Sequence, residues 1–424
     1  MRIDRLQVRN FKGFEERIFE LPRSESGSGS FHLIVGQNGS GKTSALDALA
    51  VAAGAWLLGI RGQDSRHIRD EDVRVKVLPF GDTERIEQQL PVEVKAEGLV
   101  MGQELSWKRE VLSKKTTTKD AKKLKTLAEQ AVQQVQQGET AVTLPLISYY
   151  GAGRLWQEPN SPRISETTRE EFAWWGAGRE TLGEMAEEAV AQRYASRLAG
   201  YRFSVDSRCS PVDLLTWLRL EQRLADHRGK DSTQFRVVKA AILRVVEGCK
   251  RVAFDPRLGL LLDIGLESDQ LTRRLPFANL SDGQRNMVAM IGDLAFKAAQ
   301  LNPHLGDQVL AETPGIVLID ELDLHLHPRW QHHVVEDLRT MFPQVQFVAT
   351  THSPFIIQSM RSGEELVVLD DLVDAIANYK RLAGNGLAIE ESRGVSLSYA
   401  TNNQSDFAFT HLRDEQTHGL KAVG

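Results

Sequence analysis

Eight residues, from Gly36 to Thr43, combine three glycines, a lysine and a threonine in the spacing G-x-x-x-x-G-K-T. Glycine lets the backbone curl so that successive N–H groups face inward and hold phosphate oxygens. The helix that follows favours an anion at its N-terminus. Lys42 would then reach the β- and γ-phosphates, while the Thr43 hydroxyl would bind Mg²⁺. The residues predicted to bind the nucleotide here are Gly36, Asn38, Gly39, Ser40, Gly41, Lys42, Thr43 and Ser44.

Two neighbouring carboxylates follow the apolar run Gly315–Ile319. In an enzyme with a phosphate-binding loop, an aspartate at the end of such a strand holds Mg²⁺. An adjacent glutamate can take a proton from the attacking water, which is general-base catalysis. This pattern predicts Asp320 as a metal ligand, together with Thr43, and Glu321 as a catalytic base.

The start of one predicted helix and the end of one predicted strand carry residues that could contact a phosphate. Leu280–Gln284 precedes an apolar helical pattern, and its Ser281 and Gly283 could form a second phosphate site at a helix start. The run Val345–Thr351 predicts a strand that ends in His352, whose imidazole could sense or polarise a γ-phosphate. Taken alone, the first pattern is more often an ordinary helix cap, and the second is more often an ordinary histidine.

The surrounding residues predict the elements that position these groups. Phe31–Val35 is a short apolar strand directly before the glycine-rich turn, and Arg5–Arg9 alternates as a half-buried strand does. Residues 181–250 have a helical pattern. From Ser281 to about Met360, helices and strands alternate. This alternation of helices and strands predicts an α/β fold.

The segment from Lys114 to Gly138 has a different composition, rich in Lys, Thr and Gln. Its small and apolar residues recur at spacings of three and four, which predicts a short protruding helix. Its lysines form either a solvated face or a contact to a nucleic-acid backbone. The basic residues are Lys114, Lys115, Lys119, Lys122, Lys123 and Lys125.

Composition and charge exclude several classes of protein. The chain has 424 residues, of which 41% are hydrophobic and 26% charged, and this excludes a disordered or fibrous chain. Two cysteines are too few for a disulfide scaffold. No apolar run is long enough to span a membrane. The opening residues lack the apolar core of a secretory signal, which predicts a cytoplasmic location. With a net charge of −5, DNA or RNA could be bound only by a local basic patch.

In this order, the four motifs resemble the ABC-type ATPases of the RecF, SMC and OLD-like branch. Leu280–Gln284 is similar to the signature of that branch, although Asp282 replaces the usual glycine. His352 resembles its switch histidine. Lys12, within Arg9–Phe14, resembles a basic residue that approaches the nucleotide.

A narrower resemblance is carried by Ser148–Trp156 and Glu321–Gln331. Both runs are similar to short-armed bacterial ATPases described as predicted ATP-binding proteins involved in virulence. They also resemble the ATPase subunits of Septu-type and retron-associated anti-phage systems. This likeness places His325 and His327 in a dimer-facing loop, although these residues with His332 and His333 would otherwise suggest a zinc site.

The resemblance implies a bilobed α/β P-loop ATPase head with a helical insertion. It implies an ATPase lobe over residues 1–160 with a basic insertion at 113–138, a helical domain at 161–250, a second ATPase lobe at 251–370 and a tail at 371–424. It also implies ATP and Mg²⁺ as cofactors, and a homodimer in which Ser281, Gly283 and Gln284 contact ATP bound by the partner subunit.

Three functions remain open from the sequence. The first is an anti-phage defence ATPase that controls a separate nuclease or toxic effector, since no nuclease pattern follows Leu369. The second is a RecF-like ATPase of DNA repair. The third is an ATP-switched scaffold that holds an effector with little turnover.

Overall fold

A computed structural model of the 424-residue chain describes residues 1–24, 29–80, 83–113, 115–153, 195–206, 212–255, 258–265, 272–361, 366–369, 395–401 and 407–414. The predicted helical domain before residue 195 lies outside these residues, as do Arg154–Trp156 and most of the predicted tail.

Five parallel strands form the central sheet. In sheet order they are β14 (Leu366–Val368), β3 (Phe31–Val35), β13 (Val345–Thr350), β12 (Gly315–Ile319) and β8 (Leu146–Tyr150). All but β14 are buried along their whole length, which explains their near-continuous apolar sequences. The carboxyl ends of parallel strands meet at one edge, where ligands bind in open α/β sheets. The glycine-rich loop, Asp320 and His352 all follow strands at this edge.

The central sheet combines distant parts of the chain. β3 and β8 come from the predicted N-terminal lobe, whereas β12 and β13 come from the predicted C-terminal lobe. The two predicted lobes therefore share the sheet that positions the nucleotide-binding motifs.

The remaining strands are antiparallel. One sheet contains β2 (Phe14–Glu20), β1 (Arg5–Phe11), β6 (Val92–Val100) and β7 (Gln103–Val111), in that order. A second contains β11 (Thr272–Pro276), β10 (Gly259–Gly265) and β9 (Cys249–Asp255). Two hairpins pair β4 (Val75–Phe80) with β5 (Thr83–Gln88), and β15 (Val395–Thr401) with β16 (Phe407–Asp414).

The α-helices of the described residues pack around these sheets. In chain order they are α1 (Lys42–Ala53), α2 (Lys122–Gln136), α3 (Val212–Arg228), α4 (Thr233–Val245), α5 (Asp282–Leu301), α6 (Val309–Glu312), α7 (Pro328–Gln331), α8 (Val334–Met341) and α9 (Pro354–Ser359). The two that begin at predicted phosphate sites, α1 and α5, are buried along most of their length. Their burial anchors both helix starts in the core.

Helix α2 lies against the head, so the prediction of a protruding helix is wrong. Leu124, Ala128 and Ala131 are buried, and the helix packs on a 3₁₀ helix over Gly54–Gly59. A Cβ added at Gly59 would lie 2.6 Å from the Lys125 carbonyl oxygen. The small residues of α2 are therefore explained by close packing.

No helix in the described part of the chain is long and apolar enough to cross a membrane.

Candidate nucleotide-binding and hydrolysis site

The glycine-rich loop between β3 and α1 has a backbone that only glycine adopts easily. Gly39 and Gly41 have φ values of +84° and +99°. A Cβ at Gly41 would also lie 2.6 Å from the Phe14 ring. The buried Lys42 ammonium donates to the carbonyl oxygens of Gly36 and Gln37, each at 2.8 Å. Lys42 is thus bonded to the loop that the sequence predicts to hold phosphates.

The two predicted metal ligands meet directly. The Thr43 hydroxyl donates to Asp320 Oδ2 at 2.9 Å, although the two residues are 277 positions apart. Asp320 is only 3% exposed. A hydroxyl and a carboxylate are the hard oxygen ligands that Mg²⁺ prefers, so this pair fits the predicted ion.

Thr350, at the end of β13, joins the two carboxylate positions. Its hydroxyl donates to Asp320 Oδ1 at 2.6 Å and accepts from the Glu321 N–H at 2.7 Å. Glu321 itself has a φ of +48°, which is unusual for a residue with a side chain and is typical of functional sites. One buried hydroxyl therefore supports both the aspartate predicted to bind the metal and the backbone of the predicted base.

The loop that carries His352 is held to the turn after β12. The Asp323 carboxylate accepts from the His352 N–H at 3.1 Å and from the Thr351 hydroxyl. The Ser353 hydroxyl donates to Gln331 Oε1 at 2.6 Å. His352 remains exposed. Sequence reasoning missed the supporting roles of Thr350, Asp323 and Gln331, because a polar residue after a strand does not reveal its partner.

The predicted signature is the start of α5. The Ser281 hydroxyl accepts from the Gln284 N–H at 3.3 Å, and Gln284 Oε1 accepts from the Ser281 N–H at 3.2 Å. This is a capping box, which satisfies N–H groups at the helix start. Ser281 is exposed, whereas Gly283 is buried against the His325 carbonyl, 2.4 Å from where a Cβ would lie.

Lys12 lies beside α1, with carboxylates as its ion-pair partners. Its ammonium pairs with Asp47 and lies 3.5 Å from Asp72 Oδ1. Asp47 also binds Arg66 at 2.8 Å and accepts from the Tyr149 hydroxyl at 3.3 Å. Burial raises the pKa of Tyr149, and the nearby Asp47 carboxylate adds to this effect. The contact of Lys12 with a nucleotide remains a prediction.

A second buried network connects β8 with α5. The Tyr150 hydroxyl donates to Asp293 Oδ2 at 2.6 Å, and Lys297 lies 2.9 Å from the same oxygen. Lys297 also donates to the Ser148 hydroxyl at 3.2 Å. Tyr150 in turn accepts from the Asp320 N–H through its carbonyl at 2.8 Å. The helix α5, which begins at the predicted signature, and the strand before Asp320 are therefore linked through Tyr150.

Comparisons with known families agree with this geometry. Residues 5–206 match the family described as "AAA domain", and residues 197–358 match "AAA domain, putative AbiEii toxin, Type IV TA system". The "Retron Vc95 probable ATPase" of Vibrio cholerae serotype O1 biovar El Tor is 22% identical over 396 residues, which are 87% of this chain and 74% of that protein. The chain is a P-loop ATPase.

Other relatives of this ATPase match shorter regions. The "Retron Ec83 probable ATPase" of Escherichia coli is 31% identical over 34% of this chain and 25% of its own length. The Septu protein PtuA of Bacillus mycoides (strain KBAB4) is 38% identical over 22% of this chain and 12% of its own length. A solved SMC head domain from Thermotoga maritima is 16% identical, with a TM-score of 0.39 over 87% of this chain and 94% of that one.

Proposed function

We propose that this ATPase hydrolyses ATP in a dimer and uses the hydrolysis cycle to control a separate effector protein in anti-phage defence. The observation that carries the proposal is the chain of contacts from Thr43 through Asp320 and Thr350 to Glu321. It joins a phosphate-binding loop to a metal-binding carboxylate and a potential base at one edge of the sheet.

Each group has a defined task in the proposed reaction. The N–H groups of residues 36–44 and the Lys42 ammonium bind the phosphates of ATP. Thr43 and Asp320 hold Mg²⁺, which neutralises charge on the phosphate oxygens when it is bound. Glu321 accepts a proton from the attacking water. His352, at the next strand end, contacts the γ-phosphate.

The proposed dimer follows from the position of the signature. Ser281 is exposed at the start of a 20-residue helix, where N–H groups and the helix dipole attract an anion. In a two-fold dimer, Ser281 and Gly283 of one subunit face the ATP of its partner, and each site is completed by both chains. Gln284 contributes by holding the cap that orients Ser281.

The proposed control of an effector is supported by the relatives from retron and Septu systems. Purification of the native complex, followed by mass spectrometry of its protein and nucleic acid, would identify the partner. Recovery of DNA without a protein partner would instead favour the RecF-like alternative, for which the exposed Lys119, Lys122 and Lys123 provide a contact surface.

Mixing two inactive variants tests the composite site. Lys42 is the side-chain cation of the glycine-rich loop that is predicted to bind the phosphates, so Lys42→Ala should abolish ATP binding. Ser281→Arg places a bulky cation between the two surfaces that close on ATP, so it should preserve ATP binding but prevent dimerisation and hydrolysis. In a mixed dimer, one site carries both defects and the other carries neither.

We expect ATPase activity to reappear when the two variants are combined, with phosphate release as the measurement. Ser281→Ala is the matched control, because it removes the capping hydroxyl without blocking the surface. Normal hydrolysis by Ser281→Arg as a monomer would refute the dimer, whereas wild-type ATP affinity in Lys42→Ala would refute the nucleotide site itself.

A further inference from the structure

A cavity of about 530 Å³ lies apart from the predicted ATP site. One wall is the turn Arg61–Asp64, which follows the 3₁₀ helix continuing from α1. The other wall is formed by Ser196 and the segment Leu198–Asp206. The volume is in the range of small-molecule sites, which is about 300–1,000 Å³.

The second wall is held firmly in place. The buried Tyr201 hydroxyl accepts from Trp56 Nε1 at 3.0 Å and donates to the Pro145 carbonyl at 2.9 Å. Arg197 donates to the carbonyl of Leu301, at the end of α5, at 2.8 Å. Since these anchors come from three different elements, the cavity is pre-formed.

Polar and charged groups line the cavity. Among the described residues, none forms an ion pair with the exposed Arg61. The Ser204 hydroxyl is buried and has no hydrogen-bond partner among these residues, a condition that costs free energy unless a ligand or water satisfies it. Arg202 adds a second guanidinium, and Asp64 and Asp206 add carboxylates.

Phe203 supplies an aromatic surface at a strained position. Its side chain is 50% exposed, and its φ is +55°. A left-handed backbone is unfavourable for a bulky residue and is retained where the surrounding structure imposes it, frequently at ligand sites. The Arg202 guanidinium lies over this ring, 5.3 Å from its centroid. Because Phe203 is still half exposed, the ring offers a stacking surface for a nucleobase.

We propose that this cavity binds a nucleoside monophosphate or a ligand of the same chemistry. Arg61 would bind the phosphate, Phe203 would stack on the base, and the Asp64 carboxylate would accept a hydrogen bond from the ribose or from a base amino group. Inorganic phosphate matches only the first of these contacts and also meets the two carboxylates. A nucleotide matches all of them.

The site would influence hydrolysis through the two helices that begin at the predicted phosphate sites. Its first wall continues from the C-terminal end of α1, and its second wall is bonded to the C-terminal end of α5. Helix α5 has 20 residues, so its two ends are about 30 Å apart. A ligand that fixes the distance between the walls would bias the relative position of the helices.

Binding is tested directly with AMP as the probe, by calorimetry on the full chain carrying Lys42→Ala, so that the glycine-rich loop does not contribute. We expect saturable binding of AMP that is tighter than binding of inorganic phosphate. Arg61→Gln and Phe203→Ala, each added to this background, should weaken it about tenfold, as expected for loss of one charged contact or one stacked ring. Arg85→Gln, on β5 and outside the cavity lining, is the matched control and should leave binding unchanged.

The regulatory part is tested on the otherwise wild-type chain at saturating ATP. AMP should change the rate of phosphate release, and Arg61→Gln should remove this response while leaving the basal rate unchanged. Lack of saturable AMP binding up to about 10 mM, or equal binding by both cavity variants, would overturn the site. Binding without a change in rate would overturn the regulatory role. Because AMP binding is read directly, failure here is distinguishable from failure of the proposed ATPase dimer.

Discussion

Thr350→Val is the substitution that isolates the contacts supporting the carboxylates of the ATPase site. Valine has nearly the same shape as threonine, but it cannot donate to Asp320 or accept from the Glu321 N–H. Asp320 would keep its bond from Thr43, and the glycine-rich loop would be unaltered. The substitution therefore removes one hydrogen bond from each of two predicted active-site residues, and it introduces no cavity.

The magnitude follows from the two hydrogen bonds that valine cannot form. A hydrogen bond to a charged group contributes about 1.5–3 kcal/mol, and a buried N–H left without a partner costs about 1–3 kcal/mol. Burial of the added methyl group offsets part of this, since a buried CH₂ contributes about 0.8 kcal/mol. We expect the free energy of unfolding to fall by about 2–4 kcal/mol. Loss of this support for the two carboxylates should lower kcat by about 10- to 100-fold.

The assays are urea unfolding and phosphate release over a range of ATP concentrations. KM should change little, because Lys42 and the loop backbone are untouched. Thr350→Ser is the control: it retains the hydroxyl, so it should recover most of the activity. Wild-type kcat in the valine variant would show that Thr350 does not position either carboxylate, and the reasoning would fail.

Three further results are expected. Glu321→Gln should retain ATP binding and slow phosphate release by roughly a hundredfold or more, and unchanged turnover would assign the base to another group. Replacing Lys119, Lys122 and Lys123 with Gln should flatten the salt dependence of DNA or RNA binding. The slope of log K against log salt concentration should fall by up to about one for each phosphate that is no longer neutralised. If the wild-type chain shows no salt-sensitive binding, these lysines form only a solvated face. Asp293→Ala should lower the free energy of unfolding by about 3–5 kcal/mol in urea titrations, because it leaves the Lys297 charge buried without its partner carboxylate. A much smaller decrease would show that water reaches Lys297.

Local sequence patterns predicted the elements around the site. The strand, glycine-rich turn and helix from Phe31 to Ala53 are contiguous, so their order alone indicates their arrangement. The apolar run before Asp320 and the run before His352 are likewise complete buried strands. These features depend on neighbouring residues, and sequence reasoning reaches such features best.

Features that depend on distant partners were not predictable in the same way. The role of Thr350 arises from the register of β12 and β13, in which Ile319 lies opposite Ala349. The carboxylate partners of Lys12 come from α1 and from the residues before β4, which no spacing in the sequence relates. The small residues of α2 predicted a protruding helix, but Ala128 instead packs against Gly59 of the 3₁₀ helix.

The order of strands in the central sheet has a consequence for synthesis of the chain. Both neighbours of β3 in the sheet, β13 and β14, lie more than 300 residues later in the sequence. At translation rates of about 5–20 residues per second, roughly 15–60 s pass between emergence of β3 and emergence of its first partner. During that interval the apolar strand before the glycine-rich loop has no sheet to join. A nascent chain of this ATPase should therefore bind chaperones until residue 350 has left the ribosome, and its nucleotide site should form only at the end of synthesis.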